Sequence, residues 1–195
     1  MNGYVKNRNK SKPTFANINF IGKCNAKCYF CVGNEAMHVK NNYFCLKWQM
    51  FSNLDKFLKL CKENDINLLV GASLGAFYVL QQKGDFYKLV INPCMEPSKI
   101  IPTLKDRKTN IPYSIDEKVI DAWKKMEEYS DIPDMNPEKY FGIFSYDDEL
   151  FHYREKFNCL FGNHINTVMV DGKHSIDEKF LINGLCSADM YFFKS

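Results

Sequence analysis

No apolar run in this 195-residue chain reaches the ~20 residues that a membrane-spanning helix needs. The first residues are rich in Asn and Lys and lack the apolar core of a signal peptide, so a cytosolic protein with no membrane partner is expected. Charge of one sign is also missing. Lys and Arg number 26 against 23 Asp and Glu, and the net +3 is unclustered, which argues against nucleic acid as a partner. There is no internal repeat and no low-complexity tract beyond the N-terminus. What the chain does have is 46% apolar residues with 16 Phe and 11 Tyr, enough for a packed core.

Eight cysteines would suit a secreted disulfide scaffold, but the length and the missing leader argue against one. Cys45, Cys61, Cys94, Cys159 and Cys186 are scattered through apolar segments and read as reduced, mostly buried thiols. Cys24, Cys28 and Cys31 are crowded together and need a separate account.

The apolar patterning alternates short strand-like runs with helix-like ones. Strands are expected at Phe15–Ile21, Asn67–Gly71, Lys88–Asn92, Tyr140–Ser145 and Ile165–Val170. Helices are expected at Leu54–Glu63, Leu74–Lys83, Glu117–Tyr129, Glu149–Phe161 and Ile176–Phe192, the last open to a break at Gly184. An irregular stretch is expected from the cysteines to about Gln49, and a loose, proline-bearing one from Cys94 to Pro137 that caps the site. Such alternation implies an α/β fold with a parallel sheet and helices on both faces.

One of these junctions carries chemistry. Asn67 to Ala76 reads NLLVGASLGA, an apolar strand entering Gly71-Ala72-Ser73-Leu74-Gly75. This is G-x-S-x-G between a strand and a helix, the setting in which a serine hydroxyl is held exposed at a sharp turn. The amides opening the helix, that of Leu74 first, face the place where an oxyanion would form. Ser73 is therefore the candidate nucleophile.

A serine hydroxyl attacks an ester only when a histidine takes its proton and a carboxylate orients that histidine. In parallel α/β sheets such groups gather at the carboxyl ends of strands. Asp147 and Asp148 follow the strand YFGIFS, and His174 follows the last strand in Val170-Asp171-Gly172-Lys173-His174. His38 lies outside this region, while His152 and His164 read as helix-surface and loop residues.

From Leu54 to the C-terminus the sequence resembles the small YqiA-like esterases of the α/β-hydrolase superfamily. The resemblance rests on LLVGASLGAFYVL around Ser73, INPCMEPS at Ile91–Ser98, FGIFSYDDELFHY around Asp148 and VDGKHSI around His174. It implies a truncated α/β-hydrolase sheet and a triad of Ser73, Asp148 and His174. It favours Asp148, which Glu149 follows, over Asp147. It implies hydrolysis of carboxylic esters or thioesters, with a small-molecule substrate and no cofactor. One departure stands out: no His-Gly-Phe-like loop precedes Ser73, so the partner of the Leu74 amide in an oxyanion hole is unaccounted for. Loss of one such donor costs about a hundred- to a thousand-fold in rate.

Cys24, Cys28 and Cys31 form C-x3-C-x2-C with Phe30 just before the third cysteine. Three thiolates on one loop can ligate three irons of a [4Fe–4S] cluster and leave the fourth open. The stretch from Asn17 to about Lys47 resembles the start of radical S-adenosylmethionine enzymes, which implies a possible cluster with S-adenosylmethionine at that iron. The other readings are a zinc site without an evident fourth ligand, or free thiols. Only one or two strand–helix units fit before hydrolase-like sequence begins, too few for radical chemistry. The chain is thus expected to join an N-terminal fragment at 1–52 to a hydrolase-like domain at 53–195. A strand at Phe15–Ile21, paired in parallel with the elbow strand, would put Gly22, Lys23 and Cys24 in the place of the missing oxyanion loop. Three functions remain open: a serine esterase, an iron–sulfur protein, and a non-catalytic remnant.

Overall fold

The computed structural model describes residues 14–18, 43–46, 59, 61–63, 66–105, 110–129, 136–162 and 165–193. Six strands form one sheet: β1 (Thr14–Ile18), β2 (Tyr43–Leu46), β3 (Ile66–Ala72), β4 (Tyr87–Ile91), β5 (Tyr140–Ser145) and β6 (Thr167–Val170). Their order is β2-β1-β3-β4-β5-β6, and every neighbouring pair is parallel. The anticipated pairing of the first strand with the elbow strand is present, with Phe15 opposite Leu68 and Ile18 opposite Gly71. β2 corrects the irregular stretch expected there, for it pairs with β1 and forms the end of the strand order.

Between the strands run α1 (Leu74–Gln81), α2 (Pro97–Ile100), α3 (Glu117–Met126) and α4 (Arg154–Phe161), and α5 (Glu178–Phe193) follows β6. Successive strand residues point to opposite faces, and two apolar layers follow from that. Leu69, Val90 and Phe144 pack with Phe77 and Leu80 of α1 and with Phe157 and Phe161 of α4. Their neighbours Leu68, Leu89, Ile91, Phe141 and Ile143 pack on the other face with Leu181, Ala188 and Phe192 of α5. The α/β class with helices on both faces is as expected. Phe77, Phe157 and Phe161 are fully buried, each contributing about 1.5–3 kcal/mol by leaving water. Residues 74–80 of α1 are all buried, so this helix is apolar all round rather than striped.

One helix starts later than the sequence reading expects. The segment after β5 turns helical only at Arg154, not at Glu149. The Asp148 carboxylate accepts from the amides of Leu150 and Phe151 at 2.8 and 3.0 Å, and this local turn competes with a helical start. Consequently His152 is exposed ahead of the helix rather than on its surface. Gly184 does not break α5. A Cβ there would come within 2.9 Å of Ile143, so glycine lets the helix lie close on β5.

Lys88 is 3% exposed within the sheet, an unusual place for an ammonium. It donates to the carbonyls of Leu80 and Gln82 at 3.5 and 2.5 Å and to the Tyr140 hydroxyl at 3.1 Å. These are carbonyls at the C-terminal end of α1, which have no helical partner of their own. Among the scattered cysteines, Cys61 and Cys94 are buried as expected, whereas Cys159 and Cys186 are exposed. No helix among the described residues is long and apolar enough to cross a membrane.

Candidate active site

Because all the strands are parallel, their carboxyl ends share one rim. Ser73 stands there between β3 and α1 with φ 55° and ψ −127°, a conformation that a residue with a Cβ rarely adopts. Gly71 explains how strand and helix come so close. A Cβ at this position would lie 2.7 Å from the Gly75 carbonyl oxygen and 2.8 Å from the Cα of Ala76. The Ser73 hydroxyl makes no capping bond to the helix it precedes, although serine is a preferred cap. Leu74 is the first residue of α1, and a helix leaves its first four amides without helical partners.

The backbone of Ser73 is held from the neighbouring strand. Its amide donates to the Ile91 carbonyl at 2.9 Å, and its carbonyl accepts from the Cys94 amide at 3.0 Å. Cys94 itself is fully buried, and burial pushes its thiol well above the ordinary range. It stays a protonated thiol and does not compete as a nucleophile.

Asp148 and His174 meet. The imidazole Nδ1 lies 3.2 Å from Oδ1 and 3.1 Å from Oδ2 of Asp148, and the two side chains are 2% and 7% exposed. With Nδ1 donating to the carboxylate, Nε2 presents a lone pair. The ring of Phe151 packs edge-on against the imidazole, with centroids 4.7 Å apart. Asp147 is exposed, and its amide donates to the Gly172 carbonyl at 3.0 Å. Of the two aspartates, Asp148 is the one that faces the histidine. No hydrogen bond joins the Ser73 hydroxyl to the His174 ring among the described residues. Catalytic hydrogen bonds are often long without substrate and tighten when it binds.

The loop carrying His174 is fastened at several points. Glu149 Oε2 accepts from the His174 amide at 2.9 Å, and this bond holds the glutamate carboxyl below its ordinary range. Asn92, at φ 41°, donates through Nδ2 to the His174 carbonyl at 3.0 Å and to Ser145 Oγ at 2.8 Å. Ser145 Oγ in turn donates to the Lys173 carbonyl at 2.7 Å. Asn92 and Ser145 escaped the sequence reading. The available signal was a strand ending in Asn-Pro, since asparagine tolerates positive φ better than most residues.

Cys24, Cys28 and Cys31 lie outside the described residues, as do Gly22, Lys23, His38 and His164. Among the described residues no group of three or more His, Cys, Asp or Glu side chains could hold a metal ion.

Residues 35–180 match the Uncharacterised protein family (UPF0227). No curated protein matches the chain. Among solved structures, the chain is similar to the esterase domain of a Rhodothermus marinus protein at 16% identity and TM-score 0.49, covering 94% of this chain and 85% of that one. It is also similar to a candidate hydrolase of the alpha/beta superfamily from Xanthomonas campestris pv. campestris, at 12% identity and TM-score 0.44, covering 91% and 95%.

Proposed function

The chain belongs to the Uncharacterised protein family (UPF0227), and within that family we propose that it is a serine hydrolase of carboxylic esters or thioesters. The observation that supports this most is the placement of Ser73 at a strained strand–helix junction, on the rim that also carries the Asp148–His174 pair. In this reading Ser73 Oγ attacks the acyl carbonyl and its proton passes to His174 Nε2. The imidazolium, steadied by Asp148, returns that proton to the departing alkoxide or thiolate as the acyl–oxygen or acyl–sulfur bond breaks. Water then attacks the acyl-serine by the same proton route and releases the acid, restoring the serine. The Leu74 amide is one donor to the oxyanion formed at each attack. The reaction calls on no metal or organic cofactor.

A fluorophosphonate probe tests the reading, because it phosphonylates only a serine activated in this way. The unsubstituted protein is expected to be labelled on Ser73, and Ser73→Ala to be inert. Well-folded protein that takes up no probe would refute the hydrolase assignment.

A further inference from the structure

We propose that Glu149 and Asn92 are positioning residues that grip the two peptide groups of His174 and so aim its imidazole; the proposal rests on the hydrolase reading above. The amide of His174 donates to Glu149 Oε2 at 2.9 Å, and its carbonyl accepts from Asn92 Nδ2 at 3.0 Å. The side chain is thus held through its own backbone on both sides. That hold matters because Asp148 reaches only one edge of the ring, at Nδ1. Neither that contact nor the ring of Phe151, packed edge-on against the imidazole, fixes the Cα from which the imidazole hangs. The loop before it is tied at Gly172 and Lys173, whose carbonyls accept from the Asp147 amide at 3.0 Å and from Ser145 Oγ at 2.7 Å, but neither of those bonds is made by His174 itself. Fixing both of its peptide groups holds that Cα.

Neither grip is incidental. Asn92 is 2% exposed, and both ends of its amide are engaged: Oδ1 accepts from the Ser145 amide at 2.9 Å, while Nδ2 donates to Ser145 Oγ and the His174 carbonyl. It also sits inside the segment that holds the serine, for Ile91 and Cys94 on either side bond the two backbone groups of Ser73. One short stretch therefore sets the elbow and the histidine loop in a common frame. Glu149 adds the opposite side. Asp148 and Glu149 are adjacent carboxylates that grasp the same histidine, the first at its ring and the second at its amide. Glu149 is exposed, so the fold does not depend on its burial.

The test compares full-length protein with Glu149→Ala, Glu149→Gln and Asn92→Asp, using p-nitrophenyl acetate turnover and the rate of fluorophosphonate labelling. Displacing a catalytic group by about 1 Å can cost on the order of a hundred-fold in rate. Glu149→Ala is accordingly expected to lose ten- to a hundred-fold in kcat (roughly, by the same scale) with KM unchanged and circular dichroism intact. The Gln variant keeps an acceptor for the His174 amide and should recover most of that loss. Asn92→Asp cannot donate to the His174 carbonyl and should resemble Glu149→Ala. Parent-like labelling in Glu149→Ala, or a Gln variant as slow as the Ala variant, overturns the clamp while leaving the hydrolase intact. Failure of the unsubstituted protein to label overturns the hydrolase reading, and the clamp's role with it.

Discussion

The amide of Ser73 donates to the carbonyl of Ile91 over 2.9 Å, so the last residue of β4 holds a strained serine in place from the side. The strain is the positive φ of 55° combined with ψ −127°, a pairing that costs a residue with a Cβ about 1–3 kcal/mol. The surrounding bonds to Ile91 and Cys94 oppose its relaxation. A serine at this point is thus a cost to stability that a purely structural role would not explain.

Ser73→Gly should for that reason be more stable than the parent while losing all probe labelling. Glycine relieves the strain but adds unfolded-chain entropy, leaving a net gain of about 1 kcal/mol. In a chain of this size that is roughly 2–4 °C in Tm. Ser73→Ala should lose labelling without the gain, because it keeps the Cβ. Calorimetry on the three proteins settles the matter, and a glycine variant that melts no higher than alanine speaks against stored strain.

Gly71→Ala should be harmful for a different reason. The added methyl meets the Gly75 carbonyl oxygen at 2.7 Å and the Ala76 Cα at 2.8 Å, both backbone atoms that cannot swing aside. Overpacking of this kind costs about 1–3 kcal/mol, and here strand and helix must also part. The elbow moves with them, so labelling of Ser73 should fall together with Tm. Normal melting with normal labelling would mean that the strand–helix contact is looser than described.

Much of this site is readable from residues alone, because it depends on local rules. Gly71 and Gly75 around Ser73 mark the turn, and Asp148 and His174 follow short apolar runs that read as strands. The parts that escaped depend on contacts between distant segments. Asn92 reaches Ser145 and His174 across 53 and 82 residues, and no periodicity encodes such a bond. Gly184 leaves the expected last helix open to a break until Ile143 is found beneath it. The helical start expected at Glu149 failed because side-chain bonding by Asp148 to two nearby amides competes with periodicity, and patterning carries no trace of it. β2 is four residues long and is recognisable only beside its partner.

Asp148→Asn separates the two duties of that carboxylate. The amide oxygen can still accept from Leu150 and Phe151, so the turn and the fold should survive. The amide nitrogen, however, can only donate toward Nδ1, which forces the proton onto Nε2. The histidine then has no lone pair for the serine, and the rate of probe labelling should fall on the order of 10³–10⁴-fold. Unchanged labelling in a folded Asn variant would remove Asp148 from the mechanism.

Lys88 predicts a pH dependence of stability unrelated to the site. Burial pushes its ammonium down from 10.5 to about 8. Between those values the unfolded chain keeps a proton that the folded chain has released, so this residue makes stability rise with pH. The full shift corresponds to about 3 kcal/mol across that window. The buried thiols act in the opposite sense: burial raises Cys61 from 9.0 to about 11, so above pH 9 the folded chain holds a proton that the unfolded one loses. A bare pH profile therefore mixes the two. Subtracting the urea unfolding free energies of Lys88→Met from those of the parent, from neutral pH to about 10, cancels the thiol contribution. The difference should climb with pH, beginning near 8. A flat difference would mean that Lys88 keeps its proton within the sheet, held by Leu80, Gln82 and Tyr140 as firmly as water holds it in the unfolded chain.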